Sequence, residues 1–558
     1  MKLNASNVDL RLTLTSFAAV VALGVVAVLY PEGTKGTMGS MLDFTVKNLG
    51  SGFLWYAMFA TAMLLYLALS KYGNIRLGGD TPKFSKFQLF TMALSAGMGA
   101  STMYWGFIEA VYYYMDPQFG IVDKPLSMEY AAAFNMFHWG AAGWFMYLIV
   151  AIPFCIVFYV KKSRRMSLSG VVNSMFDDAL PLWAQKLIDL LFIITTLAAT
   201  ALTLGLGIPM ISSNISHLTG IPDSLTMGIG IILGLSVIFS LSSYIGIEKG
   251  MARLSNATVY ICAGLVGFVF IIGPSALIMN NTTNGIGIML TEYLRMSTNT
   301  DPYGNSFFPQ YWTIFFLANW ISYSPGLGVF ITKIAKGHKL RDLILVLVGA
   351  GTLGTSIIFG VCGTFTMDLM NTGALDAVGF INNNQPTALV TAIFGETPFP
   401  LAMTAVYLIA MVLFTVTTLD GTSYSLASIS TKHLDKDANV SPMFRLFWCL
   451  LLTVIPIIFL LINAQLNILK SFPVLIIVPM MPIFAVLGYK TTAYIQQVFG
   501  KLDAKEIELY SIRLSQTDKS PAEMPPMEAG IAAPAAADPT VGAMLKDDAN
   551  IVAPAQAD

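Results

Sequence analysis

Charge is what this chain has least of. Aspartate, glutamate, lysine and arginine make up 11% of its 558 residues, whereas 55% are hydrophobic and the mean hydropathy is +0.67. So few polar groups cannot cover an aqueous surface, which excludes an ordinary soluble domain and points to a lipid bilayer. The formal net charge of -1 gives no electrostatic basis for a nucleic-acid partner. Cysteine is scarce too. Cys155, Cys262, Cys362 and Cys449 all fall inside apolar runs, where they read as small packing residues and not as disulfide partners or metal ligands. The few histidines form no catalytic pattern: His217, His338 and His433 fall in expected loops, and His138 adjoins Trp139. No GxxxxGK[ST] run occurs, so ATP-driven transport is excluded and no enzyme activity is expected.

What is abundant is apolar sequence of bilayer-spanning length. Twelve such stretches lie near 13–30, 52–70, 89–115, 137–160, 187–215, 226–246, 255–280, 309–333, 342–369, 399–430, 443–463 and 471–489, by the rule that about 20 apolar residues cross a bilayer. The first follows Lys2 and Arg11 without a small-residue cleavage signal, which predicts a retained helix. With both termini cytoplasmic, eighteen lysines and arginines fall in inner loops. The outer loops hold five: Lys35, Lys47, Lys124, Arg295 and Lys470. That bias is the one expected of cytoplasmic loops, and a miscounted span would scramble it. The expected organisation is a cytoplasmic N-terminus over 1–12, two N-terminal helices and a loop over 13–88, and five-helix units over 89–282 and 309–495. Between those units 283–298 reads as an amphipathic helix on the outer surface. In the 496–558 tail, 503–515 reads as one cytoplasmic helix. Residues 521–558, rich in Ala, Pro and Asp, cannot bury enough apolar surface to fold alone.

The stretch from Gly97 to Tyr114, GMGASTMYWGFIEAVYYY, stands out within the third span. Glycines at mid-span weaken a helix and uncover carbonyls, which a membrane tolerates only where protein or a water-lined cavity satisfies them. In the eighth span Ser324-Pro325-Gly326 predicts a second break, five helices later. Paired breaks of this kind mark an inverted-repeat transporter with a midplane site. Trp139, Trp144, Tyr147 and Trp320 flank these points. Aromatic faces hold a cation that cannot donate hydrogen bonds, such as trimethylammonium, at roughly 0.5–2 kcal/mol per contact. Elsewhere in the chain, aromatic residues read as interfacial belts or helix packing. Glu109 and Asp420, acids within spans, are functional candidates by their position.

The blocks GMGAS…YWGFIEAVYYY, FHWGAAGWFMY, FFPQYWTIFFLANWISYSPGLGVFITKIAKG and TVTTLDGTSYSLA resemble those of the betaine/choline/carnitine transporters over roughly residues 10–495. YWGFIEAVYYY and FHWG lean toward the carnitine/γ-butyrobetaine exchangers. The resemblance implies an all-α membrane protein of the amino-acid/sodium symporter type, two inverted five-helix repeats plus two N-terminal helices. It also implies a homotrimer in a bacterial inner membrane that moves small cationic or zwitterionic quaternary-ammonium solutes. Carried over by motif, Trp139, Trp144, Tyr147, Trp320 and Tyr323 match the cation cage and Phe315 an aromatic on the path. Ser101 and Tyr114, from the broken-span motif, join the substrate-binding candidates. The chain departs from the family at Asn319, where paired tryptophans are usual, at Ser101, where sodium-coupled members have glycine, and at Ala110, where proline is common. The coupling sodium implied by the resemblance falls on the carbonyls of Ser95 and Met98 and on Phe414, Thr417 and Thr418. Thr258 stands where the sodium-independent exchangers place an arginine, and Arg253 lies a turn earlier. Two readings follow, sodium symport and sodium-independent exchange. A third, an osmosensor, meets an acidic tail where osmoregulated members have a basic one.

Overall fold

A computed structural model of the protein describes residues 8–524, apart from 98, 117, 164, 246–249, 251, 305, 433–439 and 463–465. It is all-helical: among the described residues the sole β pairings are the isolated bridges Val8–Thr431 and Arg76–Lys339. In order, the helices are α1 (Leu10–Leu29), α2 (Pro31–Asn48), α3 (Gly50–Leu69), α4 (Lys86–Gly97), α5 (Gly99–Met115), α6 (Lys124–Trp139), α7 (Ala141–Tyr159) and α8 (Leu168–Met175). The long α9 (Leu182–Thr219) is followed by α10 (Leu225–Ile245), α11 (Ala252–Ile272), α12 (Ser275–Thr291), α13 (Tyr293–Thr298), α14 (Ile314–Ile334) and α15 (Leu340–Leu345). The last group is α16 (Gly351–Thr372), α17 (Ala377–Asn382), α18 (Pro386–Gly395), α19 (Pro400–Ile429), α20 (Pro442–Leu461), α21 (Leu466–Ile477), α22 (Met481–Phe499) and α23 (Ala504–Ser515).

Among the described residues nine helical segments are long and apolar enough to cross a membrane, and the pair α21–α22, bent by 48°, makes a tenth. The other two expected spans, the third and the eleventh, fall short of that measure. The third is divided because Gly99 takes φ +52, a left-handed conformation that glycine adopts without a Cβ clash, so α4 and α5 are separate helices. The eighth corrects the expectation: α14 runs unbroken from Ile314 to Ile334 with Pro325 inside it. Its Ser324 hydroxyl turns back to the Ile321 carbonyl at 2.6 Å. A helix carries a proline within a membrane where neighbouring helices and hydroxyls satisfy the freed groups, and α14 is buried along its whole length.

The helix expected over 283–298 is two helices, α12 starting at Ser275 and the short α13. Α12 packs on α6 and α16. Residues 31–48, read as a loop, form α2. The expected cytoplasmic helix is present as α23, opened by a capping box between Asp503 and Glu506. Pro521–Glu523 forms one 3-10 turn, and the tail from 525 onward lies outside the described residues.

The core is organised by α7 against α14. Where they touch, Gly328 lets the helices approach so closely that a Cβ there would sit 3.3 Å from the Ala151 backbone. Small residues at crossings are how membrane helices gain van der Waals contact without a hydrophobic driving force.

Candidate functional site

The site grows from a second break. Α6 ends at Trp139, Gly140 leaves helical geometry at φ -92 and ψ -138, and α7 resumes at Ala141. This hinge aims Trp139 from one helix, and Trp144 and Tyr147 from the next, at one point on α14. Trp320 fills that point. Its indole lies directly on Gly143, where any Cβ would overlap the ring. Ring centroids stand 5.9 Å from Trp320 to Trp139, 6.0 Å to Trp144 and 4.5 Å to Tyr147. Four expected cage aromatics therefore come together on buried side chains.

Polar contacts fix the orientation of these rings. The Trp320 indole N–H donates to the His138 carbonyl at 2.9 Å, and the Trp139 indole N–H to Glu109 Oε2 at 2.7 Å. Phe359 stacks on Trp139 with centroids 4.9 Å apart. Glu109 is fully buried, so its position toward the end of the third span does not bring it to solvent. Its Oε1, Asn319 Oδ1 and the Trp144 indole N–H are buried with no hydrogen-bond partner among the described residues. Other buried polar atoms of the chain also lack partners, but these three lie beside a cluster of aromatic faces, where they offer a handle for a polar solute. His138 is held on both ring nitrogens, by the Tyr113 hydroxyl at 2.6 Å and the Thr313 hydroxyl at 3.0 Å.

Tyr323 and Ser101 meet through Thr203. The Tyr323 hydroxyl bonds Thr203 and donates to the Ala199 carbonyl at 2.6 Å, while Ser101 Oγ stands 3.1 Å from Thr203 Oγ1. Phe315 packs on Phe316 (4.9 Å) on a wall leading away from the cage. Tyr114 is half-buried and makes no ring contact or hydrogen bond among the described residues. It is not brought to the cage.

The expected ion ligands also converge. Both Thr417 Oγ1 and Thr418 Oγ1 point at the Ser95 carbonyl, at 3.4 and 3.3 Å, and share the Phe414 carbonyl at 3.0 and 2.9 Å. Gly99 presses on Thr418: a Cβ there would overlap the hydroxyl. Met98 lies outside the described residues. Such carbonyl and hydroxyl oxygens suit a hard monovalent or alkaline-earth cation, not a soft metal. Among the described residues no cluster of His, Cys, Asp and Glu could hold a metal ion. Thr258 is buried and turns its hydroxyl to the Leu254 carbonyl at 2.8 Å, while Arg253 is exposed. Asp420, one turn along, is ion-paired with buried Arg445 at 3.1 Å and accepts bonds from Ser242 and Ser243, tying α10, α19 and α20 together.

Sequence reasoning missed several partners. Phe359 and Thr203 sit on helices without a motif to flag them. Arg445 was counted with the inner loops, yet it is 4% exposed. Trp105 and Trp312 lay in plain view within YWGF and QYWT. Lys470, assigned to an outer loop, is buried in α21, where its position among apolar residues of a helix is the signal that was passed over.

Comparison with known proteins fits this geometry. A family model described as the betaine/carnitine/choline family transporter matches residues 11–498. A protein of Acinetobacter baumannii named carnitine transporter is 30% identical over 91% of this chain and 93% of its own. The uncharacterized transporter YeaV of Escherichia coli is 32% identical over 84% of this chain and 97% of its own. The glycine betaine transporter OpuD of Bacillus subtilis is 29% identical over 74% and 81%. A match over nearly the whole chain, with its motif aromatics gathered around one indole, makes this protein a member of the betaine/carnitine/choline transporter family and a transporter, not an enzyme.

Proposed function

We propose that this chain is a sodium-coupled symporter of small zwitterionic quaternary-ammonium solutes, working by alternating access around Trp320. The observation that carries the reading is the convergence of Trp139, Trp144 and Tyr147 on that indole within 6.0 Å. Three or four aromatic faces at about 0.5–2 kcal/mol each favour a trimethylammonium group over an ammonium that would keep its water. Sodium enters as a second cargo, held by Ser95 O, Phe414 O, Thr417 and Thr418, with the Met98 carbonyl expected beside them. The ligands bridge α4 and α19, so an ion there draws the broken span against the tenth, which is how one cargo can bias the conformation that binds the other. The reading includes a bacterial inner-membrane location, cytoplasmic termini, inverted five-helix repeats and a homotrimer.

The alternative is sodium-independent exchange of the carnitine type. YWGFIEAVYYY and the likeness to a protein named carnitine transporter favour it. The absence of an arginine at Thr258 and the presence of both hydroxyls weigh against it.

Uptake of labelled glycine betaine, choline, carnitine and γ-butyrobetaine into proteoliposomes, with and without an inward sodium gradient, tests the two. Accumulation of one solute only with sodium is expected, and Thr417→Ala with Thr418→Ala should raise the sodium concentration for half-maximal uptake. Transport that needs only an internal exchange partner, and ignores the double substitution, would establish the exchanger instead.

A further inference from the structure

Among the described residues Lys470 is one of three buried lysine or arginine side chains, with Lys333 and Arg445. It lies near the start of α21 with 4% of its surface exposed, and its ammonium sits 3.3 Å from the Trp312 ring centroid, 4.8 Å from Phe315 and 5.9 Å from Trp105. Its one hydrogen bond, to the Tyr311 carbonyl, is long at 3.4 Å. Among the described residues no carboxylate reaches it at ion-pair distance, and the charges of Asp116 and Glu109 act on it only from farther off. Asp116 accepts instead from the Trp312 indole N–H at 2.6 Å. Burying an ammonium without a counter-ion costs several kcal/mol, so its retention asks for a use.

The surroundings indicate one. Trp312 stacks on Phe316 (6.5 Å), Phe316 meets Trp139 (5.4 Å), and Trp139 meets Trp320 (5.9 Å). Lys470 is thus at one end of a continuous wall of rings whose other end is the cage. A Ser322 hydroxyl bond to the Pro473 carbonyl at 2.9 Å pins this part of α21 to α14, so the ammonium and the cage keep their spacing.

We propose that Lys470 is a specificity-determining residue of the substrate path: it pairs with the anionic end of an entering zwitterion and turns away solutes that carry only a cation. The proposal rests on the transporter reading given above, with this end of α14 facing outward. A trimethylammonium group alone meets like charge at the Trp312 face, the aromatic station nearest the entrance, because the lysine already occupies it. A carboxylate or sulfonate on the same solute gives the lysine a counter-ion in direct contact, which Asp116 and Glu109 do not. The trimethylammonium is then free to move along the rings toward Trp320.

Binding to purified protein, followed by intrinsic tryptophan fluorescence, separates these claims when γ-butyrobetaine is compared with its methyl ester, which keeps the trimethylammonium and loses the anion. The wild type should bind the acid about tenfold more tightly than the ester or better, the size of one charge-assisted contact. Lys470→Met keeps the length and apolar packing and removes the charge; it should bring the two affinities together, with the ester and choline binding more tightly than to the wild type. Lys470→Arg should retain the preference. An unchanged preference in Lys470→Met, or no preference in the wild type, overturns the role of Lys470 and leaves the cage standing. If neither ligand binds the wild type, the cage reading falls and this one with it. A monodisperse elution profile for Lys470→Met excludes misfolding as the cause of any loss.

Discussion

Trp320 is the residue on which the cage depends, because among the described residues it alone touches rings from both sides of the Gly140 hinge. Its neighbours are held by bonds that do not involve substrate: Trp139 by Glu109 and Phe359, Trp144 by the space Gly351 leaves for it. Removing the Trp320 indole should therefore take away the common face while the other rings stay in place. Trp320→Ala is expected to weaken binding of trimethylammonium solutes about tenfold or more, the worth of one to two desolvated cation–π contacts. Trp320→Phe should lose less, since it keeps a smaller π face. Calorimetric titration of both variants checks this, and full affinity in Trp320→Ala would move the cage elsewhere. The aromatic members of this cage were legible because motif and helix spacing both flagged them. Phe359 and Thr203 were not, since a lone phenylalanine or threonine in an apolar helix looks the same whether it lines a site or packs. Lys470 was misread for a physical reason: a sliding view of hydropathy ends a span at the first charge, whereas a lysine can bury its ammonium on aromatic faces instead of ending the helix.

At the scale of elements, the sequence announced breaks better than it located them. The break expected at the glycines of the third span is present at Gly99, the one at Ser324-Pro325-Gly326 is not, and the break at Gly140 was not foreseen. The difference lies in what surrounds each point. Pro325 lies in a fully buried helix with a hydroxyl beside it, whereas Gly99 adopts a φ that other residues rarely reach and a threonine hydroxyl fills the space a Cβ would take. Ten of the twelve expected spans match helical segments long and apolar enough to cross a membrane among the described residues; the helices α2 and α12, polar enough to be taken for loops or surface pieces, were not readable. Gly99→Ala adds strain at φ +52 and drives a methyl into Thr418 Oγ1, at the ligand cluster between α4 and α19. It is expected to abolish sodium-stimulated uptake. Gly267→Ala, in α11 with open space at its Cβ, should leave uptake unchanged. Measured uptake at equal membrane abundance decides the matter, and wild-type sodium stimulation in Gly99→Ala would mean that the break does not shape the ion site.

At the scale of the whole molecule, α23 acts as a clip between distant loops. Glu508 bridges Arg76 at 2.9 Å and Lys339 at 2.8 Å, Ser511 accepts the Arg76 backbone N–H at 2.9 Å, and Lys71 caps the carbonyls of Gly500 and Leu502. Partial burial raises the Glu508 pKa, but its bonds to Lys339 and Arg76 outweigh that and hold the carboxyl below its ordinary value. A depressed carboxylate lends its stability at every pH above the ordinary value and loses it as pH falls through the depressed one. The clip is thus closed at neutral pH, with Glu508 shared between Arg76 and Lys339. Beyond it, 521–558 carries six acids and one lysine, a composition that anionic lipid repels. Residues 501–520 hold four basic residues, Lys501, Lys505, Arg513 and Lys519, against four acids, so neither part has the net basic charge through which a tail would sense membrane charge when a cell loses water. Uptake into anionic liposomes is therefore expected to change by less than about twofold as external osmolality rises, a rise that Glu508→Gln should not increase although it speeds amide exchange in α23. A several-fold osmotic activation that disappears on truncation after Gly500 would overturn this, and would mean that the segment after Gly500 itself carries the sensor, since the truncation already frees Arg76 and Lys339.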